Sequence, residues 1–269
     1  MPGSPSQQSQ YSRQLRDLSQ FFATEITRRD GKRLVLTSFG VQLALLARTQ
    51  FTALTDLRAA SRASAMQYRI VAGESLLQWL VVPRLRPLLA GGTRASFSTF
   101  NVRTSDAVHR IQEAQADFGI VRKDSVPRGV RSFSLGTLRF GAAIPKAMAP
   151  RKPTISEMLS LPLAVMSTDG QFTSRLHEVA KGHGTTLSAA LACQSFPQLL
   201  GAVRSGSYAA IVPLLAFAEL LDSQAYKIKF DAFKSLDREL VLIWNPRTID
   251  VRPGAAAVLD FLKESLSIS

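Results

Sequence analysis

The chain is poor in the residues that most site chemistry needs. One cysteine, Cys193, and three histidines, His109, His177 and His183, occur in 269 residues. A lone cysteine excludes a disulfide within the chain, and no Cys/His cluster has structural-zinc spacing. His177 and His183 flank Gly182 at a spacing that does not put two ligands on one helical face. No G-x-S-x-G, P-loop or G-x-G-x-x-G tract is present. Cys193 has no histidine near it in sequence and reads as a small buried hydrophobe. The expectation is a protein with no catalytic residues, no metal and no cofactor. No apolar run reaches the roughly 18–20 residues that span a bilayer. The N-terminus, MPGSPSQQSQYSRQ, lacks the apolar core of a secretory signal. The chain therefore reads as cytoplasmic, with no membrane partner.

Acidic residues are scarce as well. There are 20 Asp+Glu against 33 Lys+Arg, a formal net charge of +13. That balance favours anionic partners without fixing a function. Residues 1–65 carry nine Lys/Arg against four Asp/Glu, so the N-terminal quarter is the more basic part per residue. What is abundant is apolar: 46% hydrophobic against 20% charged residues marks a chain able to bury a real core.

The basic part has a recognisable plan. Ser6 can cap a helix running to about Ser19, with Tyr11, Leu15 and Leu18 at helical spacing. Its remaining surface carries Gln10, Ser12, Arg13 and Arg16, side chains suited to base edges and phosphates. The ordinary alternative is a solvated polar face. Asp30-Gly31 between strand-like flanks then predicts a hairpin, with Arg28, Arg29, Lys32 and Arg33 around its turn. Thr37-Ser38 looks like the cap of a long helix over 38–63, with Phe39, Leu43, Leu46, Phe51, Leu54 and Leu57 along it. Such a long, partly apolar helix usually packs against a partner, often its own copy.

From Tyr68 the pattern alternates strand and helix up to Val121, as in a parallel sheet covered by helices. After Arg122 it changes. Val130–Ser134 and Thr137–Ile144 read as two paired strands. Further elements follow: strand Leu163–Met166, helix Phe172–Gly182, strand Leu187–Cys193, helix Phe196–Arg204, strand Tyr208–Val212 and helix Leu214–Leu221. Strand Glu239–Trp244 and helix Pro253–Leu266 return to the first unit.

These residues resemble a known family. Ser12-Arg13-Gln14-Leu15-Arg16-Asp17-Leu18, Phe22, Thr27-Arg28-Arg29 and Leu36-Thr37-Ser38-Phe39-Gly40 look like the winged helix-turn-helix of LysR-type transcriptional regulators. The acidic residue usual at position 19 is Ser19 here. Ile70-Val71-Ala72-Gly73-Glu74-Ser75 with Pro83-Arg84-Leu85, and Asp117-Phe118-Gly119-Ile120-Val121, are similar to the start of that family's effector-binding domain. Gly206 with Pro213 is a weaker match, since the motif's second Gly is replaced by Tyr208 or Ala209. The resemblance implies an α/β chain in three parts. Residues 1–37 would be a partial winged helix-turn-helix, since the helices that normally precede the recognition helix would lie before Ser6. Residues 38–65 would be a linker and dimerisation helix. Residues 66–269 would be a two-lobed domain like periplasmic binding proteins, with lobe I over 66–121 and 237–269 and lobe II over 122–236. It further implies double-stranded DNA, a small-molecule effector and a homodimer or homotetramer as partners. The rival reading is an effector-binding or interaction module that does not bind DNA.

DNA contact would fall to Gln10, Ser12, Arg13 and Arg16 on the helix and to Arg28, Arg29, Lys32 and Arg33 on the wing. An effector would sit between the lobes, where helix N-termini offer free N–H groups. The residues placed there by topology are Ser75, Asn101, Thr104, Ser105, Arg122, Ser167, Thr168, Gln194 and Pro213. Hydroxyl caps with spare N–H donors suit a small anion; the plainer alternative is that they only cap helices. Glu74 and Asp169 would oppose an anion or select a cationic or amide group.

Overall fold

A computed structural model describes residues 5–62, 64–90, 95–148, 153–167, 170–252 and 254–268. The chain opens with helix α1 (Pro5–Phe21) and the hairpin β1 (Thr27–Asp30) and β2 (Arg33–Leu36). Asp30 pairs with Arg33 across a two-residue loop, and Gly31 takes φ +60° at its first position. An L side chain there would be strained, so the Asp-Gly signal acts through Gly31. Helix α2 (Ser38–Ser61) follows directly. Thr37 caps it by accepting from the Gly40 N–H at 3.0 Å, and the Thr37 hydroxyl donates to the Glu25 carbonyl at 2.7 Å. A Cβ on Gly40 would stand 2.1 Å from the Ile26 carbonyl oxygen, so only glycine lets the helix start so close to the hairpin.

Next come β3 (Met66–Ala72) and a helix in three sections: α3 (Glu74–Leu76), a π turn (Leu77–Val81) and α4 (Val82–Ala90). Pro83 has no N–H for the i−4 carbonyl, which accounts for the wider turn before it. Then follow β4 (Ala95–Asn101), α5 (Thr104–Gln112), β5 (Phe118–Arg122), β6 (Arg131–Leu138) and β7 (Phe140–Pro145). The remainder is α6 (Ile155–Leu159), β8 (Leu163–Met166), α7 (Gln171–Gly182), β9 (Ala189–Cys193), α8 (Phe196–Arg204), β10 (Ala209–Pro213), β11 (Ala225–Ile228), β12 (Arg238–Trp244), α9 (Pro246–Asp250) and α10 (Ala255–Ser265).

Two five-stranded sheets organise these elements. The first has the order β4-β3-β5-β12-β6, the second β11-β7-β10-β8-β9. Their inner strands read as apolar runs because they are covered on both faces: β7 and β10 of the second sheet are buried at every position, and β5 of the first at all but its last.

The expected pairing of 130–134 with 137–144 is wrong. Gly136, which looks like a turn residue, has φ +105° and lies within the single strand β6. The register against β12 shifts at Leu240/Val241, so Gly136 belongs to a bulge rather than a hairpin. β6 pairs with β12 in the first sheet, whereas β7 joins the second, with Arg139 between them. The crossing thus falls after Leu138, and residues 131–138 belong with the first lobe, not with a second lobe starting at 122. The return crossing is at Asp237, where Arg238 pairs with Leu138. Residues 214–219 form a 3-10 helix, and β11 lies in a stretch where the sequence pattern predicts no element. Among the described residues no helix is long and apolar enough to cross a membrane.

Candidate functional site

A cleft of about 1330 Å³ opens between the two sheets at the strand ends. Of the residues expected there, Ser75, Asn101, Thr104, Arg122, Ser167 and Gln194 line it. Ser105 does not: it is exposed in the first turn of α5, away from the lining. Pro213 is buried at the end of β10 opposite Phe140 and is likewise absent from the lining. Thr168 and Asp169 fall outside the described residues. The capping roles also differ from expectation. Thr104, Ser105 and Asp106 lie inside α5, whose cap is Arg103.

Four helices start at the cleft. Ser195 caps α8 with its hydroxyl, which accepts from the Gln198 N–H. The other three begin at Gly73, Arg103 and Gly170 with no side-chain cap. Elsewhere Thr37, Thr154 and Asn245 cap their helices with side chains. First-turn N–H groups without an internal partner, at the positive ends of helices, suit an anion.

Charge is unevenly placed around the cleft. Arg103, Arg110, Arg122 and Arg238 line it together with Glu74 and Asp106, and all six belong to the first sheet's unit. Arg122, at the end of β5, donates through Nη1 to the Gln171 side-chain oxygen at the start of α7, a bond from one lobe to the other. Its Nε lies 3.6 Å from Asp124. Arg238 stands at the return crossing. Its Nη1 donates to the Leu236 and Asp237 carbonyls at 2.6 and 2.9 Å, while its buried Nη2 has no acceptor among the described residues. Burial, then the cations Arg175 and Arg122, push its pKa below the usual guanidinium range.

The second lobe contributes rings instead. Phe140, Phe172 and Phe196 all line the cleft, with centroids 5.0 Å apart for Phe140–Phe172 and Phe172–Phe196. Sequence reading missed Arg238 and these rings. The available signal was their position: Arg238, Phe140 and Phe196 each open an element directly after a crossing or a cap, and Phe172 is the second residue of α7.

The candidate DNA-facing residues lie on the N-terminal head. Gln10, Ser12, Arg13 and Arg16 are exposed on α1, and Arg28, Arg29, Lys32 and Arg33 are exposed on the hairpin. None of these six cations is in an ion pair among the described residues.

Helix α2 joins head to sensor in an unusual way. Its buried side is polar: Thr49 and Asp56 are buried, while Leu46, Phe51, Leu54 and Leu57 are 57–69% exposed. Arg48 donates to Glu113 at 2.9 Å. Asp56 receives Arg252 through both carboxylate oxygens, at 2.5 and 3.1 Å. Arg252 also donates to Asp117 at 2.5 Å and to the Gln67 carbonyl at 2.7 Å, and lies 4.4 Å from the Tyr68 ring centroid. Burial pushes its pKa down, but the hydrogen bonds and charges of Asp56 and Asp117 together outweigh that and leave it raised.

The model of the LysR substrate binding domain matches residues 61–267. No curated protein sequence matches the chain. Among solved structures, the chain is similar to ArgP from Mycobacterium tuberculosis at 18% identity and TM-score 0.69, covering 96% of this chain and 88% of that one. It is similar to full-length LysG from Corynebacterium glutamicum with bound effector Arg, at 14% identity and TM-score 0.62, covering 96% and 88%. It is also similar to full-length CbnR complexed with its target DNA, at 16% identity and TM-score 0.56, covering 95% and 88%. At these identities the likeness is one of fold.

Proposed function

The chain belongs to the LysR-type transcriptional regulators, and from that membership we propose that it binds promoter DNA through its basic head and senses a small anion in the inter-lobe cleft. The observation that carries the anion is the set of uncapped helix starts at Gly73, Arg103 and Gly170 beside four arginines. Ser75, Asn101, Thr104, Ser167 and Gln194 would orient the ligand, and Arg122 would feel it directly.

On the head, Gln10, Ser12, Arg13 and Arg16 face the groove, and Arg28, Arg29, Lys32 and Arg33 sit on phosphates. Base contacts from the helix give sequence preference; wing contacts position the domain. The exposed apolar side of α2 is the surface on which a second copy packs, giving a homodimer or higher homo-oligomer. The protein works in the cytoplasm and has no catalytic step.

The test is a gel shift of the DNA upstream of its own coding sequence across a salt series. Binding whose affinity falls steeply with salt is expected. No shift at low salt, with ligand binding intact, would leave an effector-binding module that does not bind DNA.

A further inference from the structure

The reading above leaves the kind of anion open; resting on it, we propose that the effector is an aromatic carboxylate held across the hinge, its carboxylate on Arg238 and Arg122 and its ring on Phe172 and Phe196.

The division of the cleft carries this. Among the described residues every charged side chain in the lining belongs to the first lobe. The described residues of the second-lobe wall are Phe140, Phe172 and Phe196 with small polar groups and no charge. A ligand touching both walls therefore has its charge at one end and an apolar body at the other. Among the described lining residues a second carboxylate would find no cation across the cleft. Phe172 and Phe196 meet edge to face at 83° and are each only partly buried, so ring surface remains for a flat partner.

At the first-lobe end, Arg238 has a donor to spare. Its Nη2 is shut away from solvent with no acceptor among the described residues, a costly arrangement for a charged group. Arg122 also lines the cleft beside it, so a carboxylate between the two arginines would meet both. That carboxylate competes with the Gln171 side chain for Arg122, replacing the present link between lobes with one that runs through the ligand.

The test is calorimetric titration of the whole chain with 2-naphthoate, succinate and L-arginine. 2-Naphthoate is expected to bind at least about tenfold more tightly than the other two. Arg238→Lys should weaken it about tenfold or more, since a point charge replaces a planar fork. Phe172→Leu should weaken 2-naphthoate about fivefold and leave succinate unchanged. Unfolding curves of both variants check that they remain folded. Succinate binding that Arg238→Lys abolishes, without 2-naphthoate binding, overturns the aromatic class and leaves the anion reading intact. L-Arginine binding more tightly than both acids overturns the class and the anion reading together, as does the absence of binding by either acid.

Discussion

Replacing Arg252 by methionine should unlock the sensor from the long helix. The substitution keeps length and apolar stem but removes the guanidinium that holds Asp56 and Asp117 (side chains 4% and 9% exposed). Asp117 keeps the Arg69 N–H at 2.7 Å, so part of its charge stays satisfied. Asp56 loses both of its arginine bonds. Removing one partner of a buried ion pair typically costs about 3–5 kcal/mol, and the loss here should fall in that range at neutral pH. The sign follows from the partner left behind: removing the guanidinium strands a buried carboxylate, so the change is destabilising. The companion variant Arg252→Met with Asp56→Leu removes the stranded carboxylate and should recover much of the loss. Urea unfolding gives the magnitude, and amide exchange along α2 and β3 locates it. A loss under about 1 kcal/mol, of the size of an exposed pair, would refute the idea that this cluster clamps the helix.

Three further outcomes are expected. Glu219 accepts from Trp79 and Gln78 of the first lobe's helix and from Arg204 of the second lobe, at 2.8, 3.1 and 2.9 Å. Burial opposes its charge, but these bonds hold its pKa below the ordinary value, so its contribution is present above the unfolded carboxylate's pKa and is lost as pH falls through the lowered folded one. Glu219→Gln should flatten that acid limb in a pH series of melting curves; an unchanged limb would rule Glu219 out as its source. Arg28→Ala with Arg29→Ala should reduce the slope of log affinity against log salt by about two, if both cations sit on phosphates. An unchanged slope would place the wing off the DNA. Phe51→Glu with Leu57→Glu, both on the exposed apolar side of α2, should shift the species seen by sedimentation to the monomer. A dimer that persists would move the interface elsewhere.

Local signals in the sequence were legible where one residue type decides the geometry. The hairpin, the cap at Thr37, strand β8 and helix α8 follow from Gly31, a threonine hydroxyl, an apolar run and Ser195. The two runs 130–134 and 137–144 do not pair, because Gly136 between them serves a bulge against β12, and only the partner strand tells a bulge from a turn. The cleft was legible as a place because helix starts announce themselves. Its chemistry was not. Arg238 faces the cleft only because β12 returns beside β6, a contact between residues 100 apart in sequence. The Arg252 cluster was hidden for the same reason: Asp56, Asp117 and Arg252 lie on three separate elements, and nothing local distinguishes them from solvated charges.

The most direct test of the central claim is the affinity of the whole chain for the DNA upstream of its own coding sequence, measured by fluorescence anisotropy with and without saturating 2-naphthoate. Coupled sites must show a change of roughly 5–150-fold in DNA affinity, and DNA must change the affinity for the ligand by the same factor. DNA binding of equal strength with the cleft empty and filled would contradict the account.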